Sequence, residues 1–203
     1  MIFKRQELDY FNIDKCYGGN QRWMRDWWMH IGGCAALTTC DALIYCALHK
    51  GKPEYYPYDL KNITKKDYKK FGMSMKLYLQ PRMGGIKELD TFIKGARYYM
   101  EDSEICGLNV YGLEGTESFE SARDGIRNNI DAGMPVAYLM LKHHDKKFDF
   151  FEWHWFLVNG YEEKEDGFYI KVATYGAAHW LKLDELWDTG FEEKGGLVLF
   201  EMK

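Results

Sequence analysis

The sequence has no long apolar run and no excess of positive charge, and no secretory leader is expected from its opening residues. Its opening, MIFKRQELDYFNIDKCYGG, contains no apolar stretch of the signal-peptide kind. No run comes near the roughly 20 apolar residues of a membrane-spanning helix. The expectation is a cytoplasmic protein with no membrane partner. The 203 residues carry a formal net charge of −4. Nucleic-acid binding leaves a basic footprint, so no nucleic-acid partner is expected. The five cysteines, Cys16, Cys34, Cys40, Cys46 and Cys106, include no C-x-x-C pair. An odd number without a leader reads as reduced thiols. H-E-x-x-H is also missing, and GGIKEL lacks the Lys-Ser/Thr of a phosphate loop. His143, His144, Asp149, Glu152 and His154 crowd one region, a mixture that divalent ions accept. Their spacing fits a polar hairpin tip in solvent better, so no metal or cofactor is expected.

Hydrophobic residues make up 46% of the chain and aromatics 17%, a globular composition. No internal repeat, low-complexity tract or Ser/Pro-rich linker divides it, so residues 1–203 read as one domain. The first thirty residues are aromatic and loop-like, with YGGNQRW as a turn. Cys34 to Lys50 reads as a helix, with Leu37, Cys40, Ile44 and Ala47 at helical spacing and Gly51 and Pro53 ending it. DLKNITKKDYKKFGM suggests a short, basic, exposed helix, and Gly85 to Glu101 a longer one. TESFESARDGIRNNIDAGMPV reads as another, capped by Thr116 or Ser118 and stopped at Gly133. ICGLNVYGL looks like a short strand. After Pro135 the period becomes that of strands: VAYLMLKH, WHWFLVNGYEE, GFYIKVATYG, HWLKL and GGLVLFEM. Helices over about 1–133 and antiparallel strands over about 134–203 make an α+β pattern.

Within that pattern one thiol and one imidazole stand out. Cys34, in MHIGGCAALTTCD, falls where a loop becomes a helix. Free N–H groups and the dipole at a helix N-terminus stabilise a thiolate and lower its pKa. Gly32 and Gly33 permit positive φ and a close approach of substrate. A nucleophilic thiol needs a base. Of the six histidines, His154 heads the strand WHWFLVNGY, where alternation puts it on one face with Phe156 and Val158. Trp153 and Trp155 flank it and shield the ring. The run RWMRDWWMH leads straight into Cys34; aromatics of this kind more often serve packing, and here some are placed to wall a cleft.

GGCAALTTCD followed far downstream by WHWFLVNGYEE resembles the papain-like cysteine peptidase superfamily, nearest to compact bacterial branches such as the bacteriocin-leader peptidases. The resemblance covers Asn20 to Asp41 and Glu152 to Leu183. It implies a papain-like fold, with a helical lobe and a central Cys-bearing helix packed on a C-terminal antiparallel sheet. It implies Cys34 as nucleophile and His154 as its base. In that superfamily an upstream glutamine shares the oxyanion hole with the cysteine N–H. At the usual spacing stands Trp28, which cannot serve; the nearest glutamine is Gln21, with Asn20 as the fallback. A third residue orients the histidine and is ordinarily Asn or Asp. The matching position is Ala173, which has no acceptor side chain. Thr174 Oγ1, a backbone carbonyl or a water is left to take the role.

The function implied is a peptidase or amidase working through an acyl-enzyme on a peptide or amide substrate. If an amine outcompetes water, the same machinery is an acyltransferase. Ala173 and the displaced glutamine favour a different class, a catalytically lapsed peptide-binding module on the same fold.

Overall fold

Small and apolar residues fill Cys34–His49 almost without interruption, and a helix lacking a polar face has to be buried all round. That segment is the central helix of the protein, buried continuously from Cys34 to Ala47. The computed structural model describes residues 4–203. In chain order the elements are β1 (Arg5–Glu7), β2 (Asn12–Ile13), β3 (Cys16–Tyr17), α1 (Trp27–Gly32), α2 (Cys34–His49), α3 (Lys65–Met75), α4 (Leu89–Asp102) and β4 (Leu108–Glu114). There follow α5 (Phe119–Asp131), β5 (Val136–Met140), β6 (His154–Lys164), β7 (Gly167–Thr174), β8 (Ala177–Lys182), α6 (Leu183–Trp187) and β9 (Gly196–Met202).

The main sheet runs β4-β9-β5-β6-β7-β8, every neighbour antiparallel, and β1 pairs with the far end of β6. The architecture is α+β. The division between helices and strands is less sharp than the sequence suggests, because β1 and β4 come from the first two-thirds of the chain and join the late sheet. β6 lies in the middle, and its residues from His154 to Tyr161 are all buried. The alternation expected there gives way to the continuous burial of a strand covered on both faces.

Local sequence explains most element ends. Ser118 accepts a hydrogen bond from Ser121 N–H at the start of α5. Gly133, at φ +73°, closes its other end, with Met134 N–H donating to Asn129 O, a Schellman arrangement. α3 turns Tyr68, Phe71 and Met75 inward and its lysines outward.

Four expectations need correction. Trp27–Gly32 is helical, capped by the Asp26 carboxylate. α4 begins at Leu89, because Gly84 and Gly85 hold φ values of +78° and +73°. DKKFD is no hairpin tip: Lys146–Phe151 forms a 3-10 turn with Phe148 and Phe151 buried. His143 is buried with it, its Nε2 against Glu185 O. Among the described residues, no helix is long and apolar enough to cross a membrane.

Candidate functional site

Cys34 is the first residue of α2, directly after the break that separates it from α1. The two glycines before it are needed for packing and not for unusual torsions. Gly33 has φ −85°, and a Cβ there would lie 2.5 Å from Met29 O. A Cβ on Gly32 would lie 2.7 Å from Arg82 O. Main chain therefore approaches both positions more closely than any side chain permits.

Cys34, Gln21, His154 and Thr174 line one pocket with Asp41, Tyr68 and Tyr175. His154 heads β6 and Thr174 ends β7, so neighbouring strands bring them together. Nε2 of His154 lies 2.6 Å from Thr174 Oγ1. Thr174, and not Ala173, is the β7 residue whose side chain meets the imidazole. Tyr175 lies flat on the imidazole, ring centroids 4.6 Å apart and planes 5° from parallel. Its hydroxyl is 3.4 Å from Nδ1. A stacked hydroxyl is badly aligned with an in-plane lone pair, so it covers the nitrogen more than it binds it. Trp153 and Tyr175, on either side of the histidine, both adopt left-handed backbone, at φ +53° and +50°. Such torsions cost about 1–3 kcal/mol each and collect at functional sites.

Burial dominates the electrostatics. Only 5% of Cys34 and 5% of His154 is exposed. Burial raises the Cys34 thiol above its ordinary value, although N–H groups of Trp155, Ala35 and Cys34 itself pull the other way. The helix terminus therefore does not deliver the lowered thiol pKa expected from sequence. Burial also lowers His154, to about 3. Burial thus disfavours the charged form of both groups.

Gln21 sits in the short 3-10 turn Gln21–Trp23, and Nε2 donates to His30 O at 3.0 Å. An amide nitrogen has two hydrogens, so one remains. Gln21 Oε1 is buried and has no hydrogen-bond partner among the described residues. Asn20 fixes the turn, taking Arg22 N–H on Oδ1 and donating from Nδ2 to Tyr175 O at 2.7 Å. From the other side Asp41, on α2, accepts from Tyr10 OH and Tyr68 OH at 2.8 Å each and from Gly19 N–H at 3.2 Å. The double glycine of YGGNQ serves this clamp: a Cβ on Gly19 would overlap the Tyr68 ring, and one on Gly18 would lie 2.9 Å from Asp41 Oδ2. Burial lifts the Asp41 pKa to about 6 against the pull of those three donors.

Access is narrow. The pocket leaves about 20 Å³ for the centres of water-sized molecules, room for about one water. The segment from Pro81 to Ile86 packs beside Cys34 and the residues next to it. A Cβ on Gly85 would lie 4.0 Å from Cys34 Sγ and 3.6 Å from Trp153 O. Trp155 Nε1 donates to Ile86 O at 2.8 Å.

Sequence reasoning does not reach Asp41, the Trp155 N–H or the stacking of Tyr175. All three depend on contacts between distant segments. Of the residues weighed for a metal, Glu152 accepts His143 N–H at 2.7 Å, His143 faces Glu185, and His154 belongs to the pocket above. No protein-family model matches the chain, and no curated protein matches it.

Proposed function

We propose that the chain is a papain-like cysteine hydrolase cutting a peptide or amide bond. The observation that carries this reading is the 2.6 Å contact between His154 Nε2 and Thr174 Oγ1 in a pocket that Cys34 also lines. With Nε2–H donating to Thr174, the Nδ1 lone pair is left as the base. Cys34 Sγ attacks the carbonyl carbon while its proton passes to Nδ1. The carbonyl oxygen becomes an oxyanion and meets the Cys34 N–H and the remaining Gln21 Nε2–H. Donors of this kind are worth about 2.7–4 kcal/mol each. Collapse breaks the C–N bond, and the imidazolium gives its proton to the leaving amine. Water, deprotonated by His154, then hydrolyses the thioester. Substrate reaches the sulfur by displacing the segment around Gly84 and Gly85.

A specific observation favours a second reading, a peptide-binding module without chemistry: the thiol is buried and its pKa is raised. Digestion of a peptide mixture, read by mass spectrometry, separates the two. Cleavage present in wild type and lost in both Cys34→Ala and His154→Ala supports the hydrolase. Cleavage that survives Cys34→Ala rejects it. Peptide binding by wild type and Cys34→Ala alike, with no new cut, identifies the binding module.

A further inference from the structure

Three cations rest on aromatic rings next to His154: two on Trp153, which precedes it in the chain, and one on Tyr175, which lines the pocket. Lys87 Nζ sits 4.5 Å above the ring of Trp153, the residue before His154, and Lys142 Nζ is 5.8 Å from the same ring. The Arg22 guanidinium lies 5.1 Å from the ring of Tyr175, which stacks on His154. Each of the three rests on an aromatic face, and among the described residues none has a carboxylate within salt-bridge distance. Lys87 is half-buried, its stem covered and its ammonium free to meet an anion. The one acidic residue in the pocket wall, Asp41, is buried and already holds three donors.

A net charge of −4 over the whole chain does not offset this. Exposed charges beyond about 8–10 Å are screened at ordinary salt, so the groups at the mouth decide what a nearby substrate feels. We infer that the site takes acidic peptides, with Lys87 and Lys142 receiving a carboxylate on one side of the scissile bond and Arg22 receiving one on the other. This rests on the hydrolase reading for the position of the scissile bond, but not for the binding of the anion.

The test is digestion of randomised decapeptides by wild type, Lys87→Glu/Lys142→Glu and Arg22→Glu chains, with cleavage sites read by mass spectrometry. In wild type, acidic residues are expected near the cut about fivefold more often than basic ones, the factor that corresponds to the roughly 1 kcal/mol of one exposed charge pair. The double reversal should invert the preference on one side of the cut, and Arg22→Glu on the other. Raising salt from about 50 to about 500 mM should shrink both preferences. Acidic and basic sequences cut alike, or a preference that ignores the reversals, overturns the inference and leaves the hydrolase standing.

A second measurement needs no turnover: fluorescence anisotropy of labelled Glu-Ala and Lys-Ala repeat decapeptides with Cys34→Ala. Tighter binding of the acidic peptide, lost when Lys87 and Lys142 are also reversed, supports the anion site even where wild type cuts nothing; only the hydrolase then falls. Equal binding of the two peptides, or no binding of either, overturns the inference. So does heparin competing as well as the acidic peptide, which would mark a generic polyanion surface.

Discussion

Replacing Asp41 by Asn should stabilise the protein by an amount that grows with pH. The carboxyl is raised from 3.8 to about 6, chiefly by burial. A group whose folded pKa is raised binds its proton more tightly in the folded state. Its stabilising contribution is fully present below pH 3.8 and is lost as pH rises through about 6. That shift is worth about 3 kcal/mol. The substituted amide does not titrate and keeps one oxygen for the donors around it. The stability of Asp41→Asn minus that of wild type should therefore rise by about 3 kcal/mol between about pH 3.5 and 7. Taking the difference removes the other titrating groups, and His154 makes this necessary. Its lowered pKa gives the opposite slope, losing stability as pH falls from 6.5 toward 3. In wild type the two slopes offset each other over about pH 4–6, and the single substitution uncovers the histidine's. Urea unfolding across that range, with m-values compared, measures the effect. A difference that stays constant or shrinks with rising pH would mean that the two tyrosines and Gly19 outweigh burial, and the argument would fail.

The mirror-image substitution, His154→Gln, should gain on wild type by about 5 kcal/mol as pH falls from about 7 to 3, by the same unfolding assay; a flat difference would show a histidine that charges freely. Thr174→Val keeps the shape and leaves His154 Nε2 without its partner, at a cost of about 1–3 kcal/mol. Thr174→Ser should recover most of that loss in thermal unfolding, and a valine variant as stable as wild type would dismiss the contact. Gly33→Ala puts a methyl against Met29 O and should cost about 1–3 kcal/mol; circular dichroism melts at the wild-type midpoint would disprove that crowding.

The coarse fold is legible because its signals are local. Ala, Leu, Ile and Cys at helical spacing define α2, Ser118 and Gly133 bracket α5, and alternating or apolar runs after Pro135 mark the strands. Cys34 and His154 are legible for the same reason, one at a helix start and the other at a strand head. The first thirty residues are harder: α1 is Trp-rich with two of its aromatics exposed, and its only start signal is Asp26. Asp41 hides in plain view, because a helical stripe counts it as a polar residue facing water, whereas Tyr10, Tyr68 and Gly19 converge on it from three other segments. The protonation of the site is misread from sequence for a related reason. The effect of a helix terminus is written in the residues beside Cys34, but burial is the work of the whole fold.

That burial makes opening a precondition for any reaction of the thiol. Moving a proton from Cys34 to His154 inside the closed pocket would create two charges where burial already disfavours both. Holding His154 charged there costs about 5 kcal/mol on its own. Lifting the segment around Gly85, which packs beside Cys34 Sγ, would admit water and lower that cost. Its downstream end is anchored by the bond from Trp155 Nε1 to Ile86 O at 2.8 Å. Trp155→Phe removes this bond while an aromatic ring remains to stack on Phe92, whose centroid lies 4.2 Å away. A hydrogen bond of about 1 kcal/mol corresponds to about a fivefold larger open population. Iodoacetamide labelling followed by peptide mapping should find Cys34 slower than the exposed Cys106 in wild type. In Trp155→Phe, Cys34 should speed up about fivefold while Cys106 keeps its rate. If Cys34 outruns Cys106 in wild type, or ignores the loss of the anchor, the thiol is open at rest and the coupling of opening to proton transfer is gone.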